Sequence, residues 1–206
     1  PFLAAGVDPN LLLMIDNSAS MYDLAYVKPR EEGYCYDGTY TDGLGNLVES
    51  YDAAVSYYGY FDATGWYAYD LAASQFVAKT AAQAGTICSS TKYANGGTVC
   101  IDIDETVTPK VVTAFAATGN FLNWASASKL DIQKKILTGG KYDTANGRMV
   151  MESRGCLGRR FVKKIGVNET SSGNSYYLTL GIRQPEYGEK ADASDDTTRI
   201  EIFEVS

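Results

Sequence analysis

Near the start of the chain, the unbroken apolar run Leu11–Ile15 is followed by a polar segment that begins at Asp16. An apolar run of this length is typical of a strand that is buried on both faces, as in a parallel sheet. We therefore predict a buried strand here and a polar loop directly after it.

The middle of the chain has no such clear period. Residues 28–67 are rich in Gly, Tyr and Asp, which predicts an irregular segment with room for a hairpin. The Ala-rich residues 69–84 fit a helix or a strand, and residues 85–98 have the composition of a loop. Ile101–Asp104 alternates apolar and polar residues and predicts a short strand.

Two helices are predicted from their start and stop signals. Thr118 is placed to cap a helix that runs to about Trp124, and Ser128 with Asp131 resembles a capping box for a second helix. Gly139 and Gly140 would end that second helix.

The rest of the chain has strand composition. The strand candidates are Arg148–Glu152, Arg160–Ile165, Tyr176–Arg183 and Arg199–Val205, separated by Gly, Asn and Pro. Glu186–Thr198 is predicted to be a polar, acidic connection.

The composition narrows the classes of function. The 206 residues include no histidine, which excludes His-based acid–base chemistry, Ser–His triads, His-ligated zinc and covalent haem attachment. The net charge of −7 at pH 7 argues against nucleic acid as a partner. No apolar run approaches the length of a membrane span. We therefore expect no haem, no zinc, no nucleic-acid partner, no membrane span and no enzymatic activity.

Four cysteines, Cys35, Cys88, Cys100 and Cys156, occur at wide spacings, and three pairings are open. The residues between Cys88 and Cys100 have loop composition, so we favour this pair, which would stabilise the fold by roughly 3 kcal/mol for a ring of this size. Cys35–Cys156 then remains as a long-range bridge. The alternative is four reduced thiols in a cytosolic protein.

The strongest candidate site is formed by Asp16, Ser18 and Ser20, directly after the predicted strand. Strand ends in α/β folds are common ligand sites. A carboxylate and two hydroxyls are hard oxygen ligands, which suit Mg²⁺ or Ca²⁺ rather than Zn²⁺.

This D-x-S-x-S loop resembles the first loop of the metal-ion-dependent adhesion site in von Willebrand factor A domains. That family completes its site with a Thr and an Asp from two later loops, which have no clear counterpart here. Residues 57–62, 119–143 and 148–165 are similar, in the same order, to blocks in deltaproteobacterial members of the PilC/PilY family of type IV pilus proteins.

The resemblance implies the N-terminal portion of a large secreted protein of a Gram-negative bacterium, exported through the periplasm to the pilus tip. It implies a role in pilus assembly and adhesion, with pilins, minor pilins and the remainder of the parent protein as partners. The expected fold is mixed α/β. Residues 1–27 would form the first strand and site loop of a partial von Willebrand factor A-like (Rossmann-like) domain, 28–118 a disulfide-bearing insertion, and 119–206 a helical segment followed by a β-rich region.

A basic patch stands out in this acidic chain and is a candidate partner-binding surface. Its members are Arg154, Arg159, Arg160, Lys163 and Lys164. Pairing of these residues with acidic loops of the same chain is the alternative.

A second hypothesis for the whole chain is structural. An unpaired strand at Arg199–Val205 would invite strand addition from another chain, so that the protein would build an extracellular filament or self-assemble without metal.

Overall fold

A computed structural model of the chain describes residues 16, 18–27, 51–108, 110–152, 160–183 and 199–205. The helices are a short 3₁₀-helix (Ala19–Tyr22), α1 (Ala81–Ser90), α2 (Gly119–Ser126) and α3 (Lys129–Thr138). The strands are β1 (Trp66–Asp70), β2 (Gln75–Lys79), β3 (Tyr93–Asn95), β4 (Val99–Asp104), β5 (Val111–Thr118), β6 (Tyr142–Asp143), β7 (Arg148–Met149), β8 (Arg160–Glu169), β9 (Ser175–Arg183) and β10 (Arg199–Val205).

Eight of these strands form one sheet in the order β10-β9-β8-β3-β4-β5-β1-β2, and β6 and β7 form a separate hairpin. Every strand pair in the described part of the chain is antiparallel. The predicted mixed α/β class is therefore confirmed. The predicted parallel-type strand Leu11–Ile15 lies outside the described residues, so the von Willebrand factor A-like element stays a prediction.

Several local predictions require correction. The Ala-rich residues 69–84 contain the end of β1, all of β2 and the start of α1, so this segment is both strand and helix. Residues 85–98 are not a loop, because they hold the second half of α1 and all of β3. The predicted strand Arg148–Glu152 is only two residues long, Arg148–Met149. Strand β5 was not predicted.

The two predicted helices are present, with their predicted caps. The Thr118 hydroxyl accepts a hydrogen bond from the Phe121 amide at 3.3 Å. The Ser128 hydroxyl accepts from the Asp131 amide at 3.0 Å, while the Asp131 carboxylate accepts from the Ser128 amide at 3.1 Å. Gly139 ends α3 at a φ of 85°, a left-handed conformation that glycine adopts at little cost.

Helix α2 is buried on nearly all sides, since the sheet covers one face and residues 51–61 cover the other. Phe121 and Trp124 are both at most 2% exposed, and the Tyr51 ring lies 5.5 and 5.4 Å from their ring centroids. Burial of such side chains stabilises a fold by roughly 1.5–3 kcal/mol each. Gly119 is the first residue of α2. A larger residue does not fit at this position, because an added Cβ would lie 1.9 Å from the Asp62 carbonyl oxygen.

Cys88 and Cys100 form a disulfide, as predicted. It joins α1 to the central strand β4 and thereby fixes the helix against the sheet, with Cys100 fully buried. Cys35 and Cys156 lie outside the described residues, so their pairing stays a prediction.

Candidate functional site

The three predicted cation ligands lie close together in an exposed loop. The Asp16 carboxylate accepts a hydrogen bond from the Ser18 amide at 2.8 Å, and the hydroxyls of Ser18 and Ser20 are 3.0 Å apart. All three residues are solvent-exposed. An aspartate carboxylate that accepts a hydrogen bond from the amide two residues further along the chain is a common turn geometry. It brings one carboxylate and two hydroxyls into one short loop.

The loop is anchored to the rest of the fold directly after Ser20. Leu24 is fully buried and forms an antiparallel bridge with Ser128, at the junction of α2 and α3. The Ala25 amide donates to the Ala127 carbonyl at 2.9 Å, and the Lys129 amide donates to the Asp23 carbonyl at 3.1 Å. The candidate cation loop is therefore held by backbone pairing to the helical part of the chain.

A tyrosine extends the anchor. The Tyr26 hydroxyl accepts a hydrogen bond from the Tyr58 amide at 2.7 Å and donates to the Tyr58 carbonyl at 2.8 Å. Its ring packs edge-on against Tyr57 at 5.0 Å. Burial raises the pKa of Tyr26, and the hydrogen bond that its oxygen accepts from the Tyr58 amide offsets this only in part, so the phenol stays protonated and keeps both bonds at neutral pH.

A lysine lies beside the loop. The Lys129 ammonium is 3.4 Å from the Ser20 carbonyl oxygen and 3.8 Å from an Asp23 carboxylate oxygen. Burial raises the pKa of Asp23, and the charge of Lys129 works in the opposite direction. A partly exposed ion pair of this kind contributes up to about 1 kcal/mol. Lys129 thus ties the end of the loop to the first turn of α3.

The ligand set in the described residues is partial. A cation bound between Asp16, Ser18 and Ser20 would receive one carboxylate and two hydroxyls, whereas Ca²⁺ takes six to eight oxygen ligands and Mg²⁺ takes six. Within the described ranges, no three His, Cys, Asp or Glu side chains come together as a metal site. The loop chemistry fits Mg²⁺ or Ca²⁺, and further oxygens from water or a partner would complete the coordination.

Two asparagines of α2 clamp residues 51–61, and the sequence reasoning missed both. The Asn123 side chain accepts from the Phe61 amide at 3.0 Å and donates to the carbonyls of Tyr57 and Phe61 at 3.0 and 2.9 Å. Asn120 accepts from the Tyr57 amide at 2.7 Å. The signal was available, because two Asn three residues apart in an apolar helix lie on one face and need partners there.

A buried carboxylate joins α3 to the segment after β7. Asp131 accepts from the Glu152 amide at 2.8 Å and from the Ser128 hydroxyl at 2.8 Å. Burial raises the pKa of Asp131, and these hydrogen bonds work against that rise. Burial also acts to raise the pKa of Glu152, but its bonds to Lys134 and Lys141 outweigh this and hold the pKa below its ordinary value.

Of the predicted basic patch, the structure describes the side chains of Lys163 and Lys164 only, so a single basic surface stays a prediction. Lys163 is fully buried, and its ammonium donates to the Trp124 carbonyl and lies 4.5 Å from the centroid of the Trp124 ring. It presents nothing to a partner in this fold, since its position in β8 faces the core. Lys164 is half-buried, with its ammonium 4.5 Å from the Tyr177 ring centroid. Arg160 begins β8, and Arg154 and Arg159 lie outside the described residues.

The fold and site together define a disulfide-bearing mixed α/β domain with an exposed, oxygen-rich loop docked on its helices. Residues 102–179 match the family model described as PilY1 homolog, small alpha/beta domain. The match covers a little over a third of the chain and runs from within β4 into β9, including α2 and α3. It supports the PilY1-like part of the predicted resemblance.

Comparison with curated proteins and with solved structures found no match. The helices of the described residues are all too short or too polar to cross a bilayer.

Proposed function

We propose that this chain is a non-enzymatic binding and assembly module of a type IV pilus-associated protein. The protein would be exported through the periplasm and would be located at the cell surface. The observation that carries the proposal is the PilY1-like small α/β domain at residues 102–179. The proposed partners are pilins or minor pilins and the remainder of the parent protein.

The D-x-S-x-S loop is proposed to supply a divalent-cation seat for this binding. Three features of the loop support that role. The loop groups the oxygens of Asp16, Ser18 and Ser20, it is exposed, and it is anchored to α2 and α3, which lie within the PilY1-like segment. A carboxylate of a partner would complete the coordination of Mg²⁺ or Ca²⁺. The cation would then join the partner to the domain.

The test uses the 206-residue chain immobilised on beads and sheared pili from the source bacterium. We expect pili to be retained with Mg²⁺ or Ca²⁺ present and to be released by EDTA. Asp16→Ala should lower retention to the EDTA level. The matched control is Asp52→Ala, because Asp52 is also exposed and its carboxylate makes the same turn bond, to the Ala54 amide at 2.9 Å.

Each outcome decides a different part of the proposal. Retention that survives EDTA and Asp16→Ala would keep the pilus association and overturn the cation role. No retention under any condition would overturn binding to pili. Equal loss of retention in the Asp16 and Asp52 variants would show that removal of a turn hydrogen bond, rather than loss of a cation ligand, reduces binding.

A second candidate function is structural, and the position of β10 favours it. In the described part of the chain, β10 pairs with β9 alone and lies at the edge of the eight-stranded sheet. An edge strand can accept a strand from another chain. Assembly by this route would need no metal. Polymers of the 206-residue chain that persist in EDTA would therefore favour it over the cation-dependent module.

A further inference from the structure

A groove of about 560 Å³ lies at the opposite edge of the sheet, away from β10. Two runs of consecutive residues form its sides, Ser74–Ala78 from the β1–β2 turn and β2, and Gly147–Met151 from β7 and its flanks. Five of its lining residues are aromatic, and together we call them the aromatic floor: Tyr60, Phe61, Tyr67, Tyr69 and Phe76. The volume lies within the range of ordinary ligand sites.

The consecutive lining residues show how the groove runs. Neighbouring side chains of a strand point to opposite faces of the sheet. A groove over one face would touch only every second residue of β2, whereas this groove touches every residue from Ser74 to Ala78. It therefore follows the backbone edge of β2.

That edge is open in the described part of the chain. There, β2 pairs with β1 alone and is the last strand of the sheet. In an antiparallel pair, alternate residues direct their N–H and C=O groups away from the partner strand. The five residues of β2 extend over about 17 Å at 3.3–3.4 Å per residue. One added strand of similar length would satisfy the outward groups.

The aromatic floor is fixed in place before any ligand binds. The Phe76 ring packs edge-on against Phe61 and Tyr69, with centroid distances of 5.6 and 5.1 Å, and Phe61 packs against Tyr67 at 4.9 Å. Tyr69 and Met149 nevertheless remain 36% and 38% exposed. Apolar side chains of a bound strand would cover this surface at low ordering cost, because the rings are already packed.

A single arginine in the groove favours a ligand that carries a carboxylate. Among the described residues that line the groove, Arg148 is the only charged one, although the whole chain carries a net charge of −7. In the described part of the chain, Arg148 has one ion-pair partner, Asp143, whose carboxylate oxygen is 4.0 Å from the guanidinium Nε, and the Arg148 side chain is 41% exposed. An exposed pair of this length is weak, so a carboxylate on the ligand can bind the guanidinium.

We propose that this groove binds an extended segment of a partner protein by strand addition to β2, with alternate apolar side chains on the aromatic floor and a carboxylate at Arg148. Main-chain hydrogen bonds to β2 would supply affinity, and the floor would select the alternate side chains. The inference does not depend on the cation loop, because none of the loop residues line the groove. Residues 147–151 of the groove lie within the PilY1-like segment, but the argument rests on the open edge of β2 and not on pilus association.

The probe is the peptide acetyl-Val-Thr-Val-Thr-Val-Glu-amide, titrated into the ¹⁵N-labelled 206-residue chain. We expect backbone amide shifts along 74–79 and 147–151, and slower hydrogen exchange at alternate amides of β2. The same peptide with alternate N-methylated amides should bind about tenfold more weakly or worse, because it loses at least one main-chain bond. Arg148→Gln should weaken binding of the Glu peptide about two- to fivefold and leave a Gln-ended peptide unchanged.

The matched control is Lys110→Gln, which removes another exposed cation that has a long ion pair, 3.6 Å to Glu105, far from the groove in sequence. It should leave binding of both peptides unchanged. Absence of shifts along β2, or equal binding of the N-methylated peptide, would overturn strand addition. Shifts caused by maltose but not by the peptide would assign the groove to a saccharide and would likewise overturn the proposal.

Discussion

Replacing Leu24 by alanine tests how the candidate cation loop is held. Leu24 is fully buried at the α2–α3 junction. Removal of a buried leucine side chain to Cβ costs about 2–5 kcal/mol. At 1.4 kcal/mol per factor of ten, a loss near 3 kcal/mol multiplies the population of the detached anchor by about a hundredfold. The loop would then lose its fixed position on the domain.

Two amides report this opening directly. The Ala25 amide is bonded to the Ala127 carbonyl, and the Lys129 amide to the Asp23 carbonyl. Hydrogen exchange measured by NMR should become about a hundredfold faster at both amides in Leu24→Ala. Amides of β4 should change far less, because the anchor opens locally.

The matched control is Leu137→Ala, on α3, where the side chain is 41% exposed. It should change the exchange of the Ala25 amide by less than about threefold. Two results would contradict a local anchor at Leu24. Unchanged exchange at Ala25 in Leu24→Ala would show that the anchor does not depend on Leu24. Equal acceleration at Ala25 and throughout β4 would show that Leu24 belongs to the global core rather than to a local anchor.

Three further predictions concern the stability of the domain. Asn123→Ala should lower the free energy of unfolding in urea by about 2–4 kcal/mol, because it leaves buried backbone groups without partners, whereas the exposed Asn146→Ala should cost less than about 0.5 kcal/mol; equal effects would contradict the clamp. Replacing Cys88 and Cys100 by alanine should cost about 3 kcal/mol, measured in the same way, and an unchanged urea midpoint would contradict a stabilising bridge. Glu152 has a lowered pKa, so its ionised form stabilises the fold above its ordinary pKa of 4.5, and this contribution is lost as pH falls through the lower folded value. Thermal melts should therefore show wild type above Glu152→Gln near pH 7 and a shrinking difference below about pH 4.5; a difference that grows in acid would contradict the sign.

Local signals predicted part of this fold well. Thr118, Ser128 and Gly139 define the helix ends through hydrogen bonds to residues within five positions, so the sequence alone contains the information. The strands near 160–165, 176–183 and 199–205 were also predicted from local signals, because each has β-branched or aromatic residues bounded by turn residues.

Long-range pairing explains what was missed. Strand β5 pairs with β1 and β4, and β3 pairs with β8 far along the chain, so their partners cannot be read from neighbouring residues. The burial of Lys163 follows from the position of Trp124, which only the tertiary fold provides. For the site, the spacing of Asp16, Ser18 and Ser20 places them in one short segment, and their role as cation ligands stays a prediction. The anchor of that segment through Leu24 depends on a bridge to Ser128, which the sequence alone does not indicate.

The proposed membership of this chain in a type IV pilus-associated protein can be tested directly at the cell surface. Antibodies raised against the 206-residue chain would be used to probe surface material sheared from the source bacterium, compared with cells that lack the major pilin. We expect the antigen to be present in the sheared pilus fraction and to be lost from it when pilin is absent. Antigen that is missing from sheared pili, or that is sheared equally from cells without pilin, would contradict association with the pilus.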